Sequence, residues 1–266
     1  MSGEPGVSDG QAPQVAAIEV DSVGKSYGTL VALRSVSLQV ARGETFGLLG
    51  LNGAGKSTLS KILIGLLRPD TGTVRVAGID PSRDPRRARE KLGYLAEESI
   101  LYDELTAREH LEVVSALRGL EPTAARARSD RLLEYLDLAH AKDRACGGYS
   151  RGMRRKTAIA CALVGDPEVL LLDEPTDGLD PDGVRRFDEI LLELERRGRA
   201  VVIASHILPL VEKRCRRFGI LDRGSLVAQG TLEELRAKAG EPSADLERLF
   251  LVLTKREGKD ARDLLA

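Results

Sequence analysis

The sequence contains no tryptophan, and aromatic residues make up only 3% of its 266 positions. It therefore offers few side chains on which nucleic-acid bases could stack. Its 40 Lys and Arg residues are balanced by 41 Asp and Glu residues, so the net charge is close to zero. Because a dedicated nucleic-acid-binding protein is usually basic, the composition argues against nucleic acid as the partner.

Cysteine and long apolar runs are also scarce. Only 3 cysteines occur, at positions 146, 161 and 215, and none forms a C-x-x-C pair. This pattern favours a reducing compartment and predicts neither a disulfide framework nor a zinc site. No apolar run approaches the ~20 residues that a membrane span needs, and the N-terminus lacks the features of a secretory signal. We therefore expect a soluble, cytosolic protein.

The most informative stretch is residues 50–58, G-L-N-G-A-G-K-S-T. It fits the phosphate-loop template G-x-x-x-x-G-K-[ST] at every fixed position, between an apolar strand-like segment and a helical pattern over residues 57–67. Glycines bring backbone amides close to phosphate, while Lys56 reaches the β- and γ-phosphates and Ser57 ligates magnesium. The alternative is a glycine-rich turn that binds nothing. The candidate nucleotide-binding residues here are Gly50, Asn52, Gly53, Gly55, Lys56, Ser57 and Thr58.

The segments before and after this loop predict an α/β fold. Residues 1–17 have the composition of a disordered tail. Alternating apolar residues predict short strands that form a small antiparallel sheet beside the nucleotide-binding core, at residues 18–23, 31–33, 36–40 and 73–76. Apolar runs at residues 169–174 and 200–204 predict buried parallel strands, and residues 218–221 and 225–228 a hairpin.

Helical periodicity fills the region between these two parts. Residues 106–117 begin with a capping box formed by Thr106 and Glu109, and Ser150 opens a later helix. Together they predict a helical insert over about residues 97–165. The predicted fold is thus a P-loop NTPase core with an N-terminal antiparallel β-subdomain and an inserted α-helical subdomain, over residues 18–238, followed by a C-terminal extension over residues 239–266.

Two adjacent acids end the apolar run that precedes residue 173. Asp173 is placed to hold magnesium through a bound water, and Glu174, which points away from it, is the candidate general base for hydrolysis. The alternative is that both acids are merely solvated.

Other candidates depend on their positions in the predicted elements. His206 follows the next buried strand, so a γ-phosphate contact is expected. His110 and His140 fall in helical segments and are predicted to be solvated. Tyr27, in a loop before the sheet, is a candidate for stacking on adenine.

The motifs, in this order and spacing, resemble the nucleotide-binding domain of the ATP-binding cassette (ABC) family over about residues 18–235. Residues 50–58 look like the Walker A motif, residues 169–174 the Walker B motif and residues 178–180, ending in Asp180, the D-loop. His206 matches the switch histidine and Tyr27 the adenine-stacking aromatic. Residues 149–153, Y-S-R-G-M, stand at the position of the family's LSGGQ signature.

Two motifs depart from that family pattern, the signature and the Q-loop. Arg151 and Met153 replace the usual Gly and Gln of the signature, but Ser150 and Gly152, which the family uses to hold the γ-phosphate, remain. Glu97 stands where the Q-loop has glutamine. These variants resemble the branch that serves multidrug, antibiotic-resistance and polysaccharide or haem-type exporters.

The resemblance implies an ATPase with ATP and Mg²⁺ as ligands. In the family two cassettes, identical or paralogous, enclose two ATP molecules, and the signature of one faces the phosphate loop of the other. It also implies a separate membrane permease and a cytoplasmic location, peripheral on the inner face of the cell membrane. No nucleic-acid partner is expected.

Two other functions are weighed against this one. A cassette ATPase acting on DNA or the ribosome would carry a long coiled-coil insert or tandem cassettes with a basic surface. A regulatory module without turnover would not need Glu174 and His206.

Overall fold

The computed structural model describes residues 16–98 and 100–255. Strand β1 begins at Ala16, so Ala16 and Ala17, predicted to belong to the tail, are part of a sheet. The rest of the predicted tail and residues 256–266 of the C-terminal extension lie outside the described residues.

An antiparallel sheet of three strands forms the N-terminal layer, as predicted. Its strand order is β2-β1-β4, with β1 at Ala16–Tyr27, β2 at Leu30–Ala41 and β4 at Thr71–Val76. The segments predicted as two strands at residues 31–33 and 36–40 are one strand, β2, in which Ser35 has a φ of 53°. Tyr27 ends β1, so its prediction as a loop residue was wrong.

A second sheet of six strands forms the centre of the molecule, in the order β5-β6-β7-β3-β8-β9. All adjacent pairs are parallel except β8 with β9, the predicted hairpin. Every residue of β3, β6 and β7 is buried, and their sequences are accordingly apolar or glycine except at Thr45, Asp173 and Ser205. The strands are β3 at Thr45–Leu49, β5 at Leu92–Leu95, β6 at Val169–Asp173, β7 at Ala200–Ser205, β8 at Arg217–Asp222 and β9 at Ser225–Thr231.

The helices cover the central sheet and form the predicted insert, which contains α3 to α5. They are α1 at Lys56–Leu63, α2 at Pro85–Lys91, α3 at Ala107–Leu117, α4 at Pro122–Tyr135, α5 at Arg151–Leu163, α6 at Pro181–Arg196, α7 at Leu208–Arg214, α8 at Leu232–Ala239 and α9 at Leu246–Leu253.

Local sequence signals place several helix ends. The capping box at the start of α3 is confirmed: Glu109 donates its backbone N–H to Thr106 Oγ1 at 3.1 Å, and Thr106 N–H donates to the Glu109 carboxylate at 2.7 Å. Ser150 caps α5 by accepting a bond from Met153 N–H. Helix α1 is shorter than the predicted 57–67, because the chain turns at Gly65, which has a φ of 69°.

The core has two apolar clusters, one on each side of the central sheet. Along β6, Leu170 and Leu172 face the cluster that contains the helical insert, while Val169 and Leu171 face the cluster beneath the antiparallel sheet. This alternation follows from the two-residue period of a strand. Because β3, β6 and β7 are parallel, their carboxyl ends lie at one edge of the sheet. Ligands bind at this edge in open α/β sheets.

His110 is buried in α3, at 7% exposure, so its prediction as a solvated residue was wrong. Its Nε2 accepts a hydrogen bond from Tyr102 N–H at 2.9 Å, and Nδ1 lies 2.8 Å from the carbonyl oxygen of Thr106. The ring therefore satisfies two backbone groups inside the insert. His140 is exposed, in a turn after α4 rather than in a helix.

Candidate active site

The phosphate loop borders an open cavity of about 380 Å³ at the carboxyl edge of the central sheet. Most of the predicted site residues come together in it, including Tyr27 from β1 and Glu97 from the loop after β5. The other predicted residues that line it are Asn52, Gly53, Gly55, Lys56, Ser57, Thr58, Asp173 and Glu174.

The loop is shaped by Gly55, the residue before α1. It has a φ of 111°, and a Cβ there would lie 2.7 Å from the carbonyl oxygen of Ala32. Only glycine fits this conformation and this close approach. The first turn of α1, where backbone amides and the helix dipole favour an anion, consequently opens on the cavity.

Lys56 is the first residue of α1 and folds back over the loop. Its Nζ donates to the carbonyl oxygen of Gly50 at 2.5 Å and lies 3.4 Å from that of Leu51. Burial lowers the pKa of Lys56, while the carboxylates of Glu174 and Asp173 act in the opposite direction. The ammonium is thus held where a phosphate could replace the carbonyl oxygens as its partner.

Asp173 ends β6 with its carboxylate buried beside the loop. Tyr94 Oη donates to Oδ2 at 2.8 Å, and Ser60 Oγ lies 3.4 Å from Oδ1. Burial raises the pKa of Asp173, an effect that these two hydrogen bonds and Lys56 oppose. Carboxylate and hydroxyl oxygens are the ligands that magnesium prefers, so the donor set of Asp173 and Ser57 fits this ion.

Glu174 follows Asp173 with a φ of 46°, in the left-handed region. Such a backbone costs about 1–3 kcal/mol and is typical of functional sites. Ser205 Oγ donates to Oε2 at 2.6 Å, and His206 donates its backbone N–H to Oε1 at 2.9 Å. His206 Nδ1 also lies 2.6 Å from Oε1. The carboxylate is therefore held toward the end of β7, with the His206 side chain 58% exposed.

Five predicted site residues do not line this cavity in the single copy. Gly50 and His206 border a neighbouring cavity against α9. Asp180 caps α6, accepting from Gly183 N–H at 2.8 Å. Ser150 and Gly152 begin α5, where Ser150 acts as its N-cap.

The side chain of Arg151 occupies the space that the usual signature glycine would leave. Its guanidinium forms an ion pair with Asp177. The aliphatic part of the side chain lies beside Gly178, where an added Cβ would be 2.9 Å from the Arg151 Cγ. The side chain therefore connects the signature segment to the loop that follows the acidic pair.

Four residues of the site were missed by the sequence analysis: Ser60, Tyr94, Arg155 and Ser205. Ser60 lies one helical turn after Lys56, and Ser205 immediately precedes His206, so position alone could have suggested both. Tyr94 and Arg155 reach the acids from other elements, and no local pattern marks them.

This geometry defines a P-loop nucleoside triphosphatase. A phosphate-binding loop follows β3, and an acidic pair lies at the end of β6, which is separated from β3 by β7 alone. The family profile described as "ABC transporter" matches residues 33–177. The chain belongs to the ABC transporter family; it is an ATP-binding subunit and an ATPase of that family.

Relatives and solved structures agree with this membership. The chain is 41% identical to Daunorubicin resistance ATP-binding protein DrrA3 of Streptomyces coeruleorubidus, over 86% of this chain and 73% of the relative. It is 38% identical to Nod factor export ATP-binding protein I of Paraburkholderia xenovorans (strain LB400), over 88% and 77%. A solved ATP-binding subunit of an ABC transporter superposes with a TM-score of 0.86 at 34% identity, over 90% of this chain and 99% of that one.

These relatives are named for resistance or export, so the predicted resemblance to the drug-export branch is confirmed. They favour a transporter subunit over a cassette that acts on nucleic acid or the ribosome. A dimeric cassette with ADP and Pi bound is also similar, with a TM-score of 0.74 and 25% identity over 81% of this chain and 98% of that one. Within the described part of the chain, no helix has both the length and the apolar character of a membrane span.

Proposed function

We propose that this subunit drives export by hydrolysing ATP between two cassettes that sit beneath a separate permease, on the inner face of the cell membrane. The observation that carries the proposal is the convergence of Lys56, Asp173 and Glu174 on one cavity beside a helix N-terminus. Charge of both signs is thus available where a triphosphate would lie.

The loop amides and Lys56 bind the β- and γ-phosphates, and Tyr27 stacks on the adenine. Ser57 and Asp173 would hold magnesium, which would neutralise charge on the phosphate oxygens. Glu174 accepts a proton from a water molecule while the oxygen of that water bonds to the γ-phosphorus. The bond between the γ-phosphorus and the β–γ bridging oxygen breaks, and ADP leaves. His206 contacts the γ-phosphate and orients Glu174 through its Nδ1, which lies 2.6 Å from the Oε1 of Glu174.

The second cassette completes each site. Ser150 and Gly152 of one copy cap the γ-phosphate held by the other, with Asp180 at the same contact. ATP then bridges the two copies, and loss of the γ-phosphate on hydrolysis weakens the closed dimer. The cargo is recognised by the permease rather than by this subunit. The names of the relatives support export of a drug-like molecule.

The decisive experiment replaces Glu174 with glutamine, which keeps the shape but cannot accept the proton. Glu174→Gln should bind ATP normally, lose turnover by at least about a hundredfold and accumulate as a dimer with ATP, measured by phosphate release and size-exclusion chromatography. The matched control is Glu193→Gln, an exposed acid on α6, which should behave as the wild type. Undiminished turnover of Glu174→Gln would refute the base assignment.

The cellular partner is tested separately. The chain should copurify with a membrane fraction when a permease is co-expressed. Recovery with ribosomes or DNA instead would refute the transporter function.

A further inference from the structure

Arg155 lies in the second turn of α5 and is almost fully buried, at 4% exposure. Its guanidinium donates to backbone carbonyls on two separate loops. One is the loop after β5, and the other begins at the acidic pair, where Asp173 ends β6 and Glu174 starts the loop that follows. The acceptors include Ala96 at 2.7 Å, Glu97 at 3.1 Å, Asp173 at 2.6 Å, Glu174 at 2.5 Å and Pro175 at 3.2 Å.

The arginine fork suits this arrangement. A guanidinium presents five N–H donors in a plane, so it can serve several carbonyl oxygens from different directions at once. Burial lowers the pKa of Arg155, whereas the carboxylates of Asp177 and Asp173 act in the opposite direction. A buried charge of this kind is stable only while its hydrogen bonds are made, so the two loops are held at a fixed separation.

The contact fixes the backbone on both sides of the proposed base. Glu174 donates its N–H to the carbonyl oxygen of Ala204 on β7 at 2.9 Å, and its own carbonyl oxygen accepts from Arg155. These two bonds hold the residue in its left-handed conformation. The direction of the carboxylate depends on that conformation.

We propose that Arg155 is a positioning residue, which sets the rate of hydrolysis by holding the backbone of Glu174 and tying it to the Glu97 loop. It does so without touching the nucleotide. The inference rests on the proposed function, because it takes Glu174 as the base. Arg155 also belongs to α5, the helix that Ser150 caps. A movement of α5 or of the Glu97 loop would therefore displace the backbone of Glu174 through this one side chain.

The test is Arg155→Lys in the full-length chain. Lysine keeps the charge, but its single nitrogen carries only three donors, so it cannot serve all five carbonyl oxygens on the two loops at once. We expect kcat to fall by at least about tenfold, since small displacements of a catalytic group are costly, while the Kd of a fluorescent ATP analogue changes less than about twofold. An unchanged kcat, or a loss of ATP affinity equal to the loss of kcat, would overturn the proposal.

The control is Arg154→Lys, one residue earlier on the same helix. Arg154 also binds carbonyls, but those of Leu101 and Cys146 within the helical insert, together with the Asp103 carboxylate. It should retain the wild-type kcat. If Arg155→Lys does not fold, Arg155→Gln, which keeps two N–H donors without a buried charge, replaces it.

A double-mutant cycle separates positioning from general destabilisation. If Arg155 acts through Glu174, Arg155→Lys should cost little further single-turnover rate in a Glu174→Gln background. An additive loss would contradict the inference while leaving the base assignment intact. Normal turnover of Glu174→Gln alone would overturn both.

Discussion

At the scale of single residues, the site contains a charge that folding alone does not favour. Burial raises the pKa of Asp173 from its ordinary value of 3.8. The folded protein therefore holds that proton more readily than the unfolded chain does. The stability contributed by this group is present at acidic pH and is lost as the pH rises through the raised pKa. Above that pKa the ionised carboxylate accordingly weakens the nucleotide-free fold, a cost that is common at functional sites.

Asp173→Asn should therefore raise the Tm of the nucleotide-free protein at pH 7 and abolish ATP hydrolysis. The gain should shrink as the pH falls toward 3.8, because the wild-type carboxyl becomes neutral there. Circular-dichroism melts across this pH range measure both effects. A lower Tm at pH 7, or a gain that grows on acidification, would contradict the prediction.

Asp182 supplies a control of opposite sign for that experiment. Hydrogen bonds from Arg186 and Arg185 lower its pKa to about 2. Its contribution to stability is present above the ordinary carboxyl pKa and is lost as the pH falls toward 2. Asp182→Asn should consequently give no increase in Tm at pH 7.

Among the site residues, the sequence was sufficient to predict those whose role depends only on neighbours along the chain. Lys56, Ser57 and the glycines of the loop are recognisable because their spacing is fixed within nine positions. The Tyr94 bond to Asp173 joins residues 79 positions apart, and Arg155 reaches the Ala96 carbonyl across 59. Contacts of this kind are set by how the elements pack, which no local pattern encodes.

At the scale of elements, apolar runs and caps were sufficient for most of the fold. The strands β6 and β7 were predicted within one residue because both faces of each are buried. The predicted end of α1 was wrong because the apolar spacing continues past Gly65, where the backbone leaves the helical conformation.

The N-cap of α5 separates a structural role from a functional one. Ser150→Ala should cost about 1 kcal/mol of stability through loss of the cap, and should also reduce ATP-dependent dimerisation. Thr106→Ala, which removes the cap of α3, should cost about the same stability without that functional loss. Denaturant unfolding and light scattering with ATP measure the two quantities. Equal loss of dimer in both variants would show that Ser150 acts only as a cap.

At the scale of the whole molecule, Ser150 and Gly152 do not line the cavity that contains Lys56 in the same copy. If a second copy supplies them, lesions in the two motifs should complement each other in a mixed dimer. A dimer of one Lys56→Ala chain and one Ser150→Ala chain would place both lesions in one site and leave the other site intact. If each site belonged to a single chain, both sites would be damaged.

The two chains, carrying different tags and Glu174→Gln in the background, should therefore trap about one ATP per mixed dimer, as twofold symmetry requires. Dimers of either variant alone should trap none, and the parent Glu174→Gln dimer about two. Bound nucleotide after tandem affinity purification gives the count. Mixed dimers that trap no ATP would mean that Ser150 does not complete the site of the second copy, since only a shared site lets two defective chains restore one another.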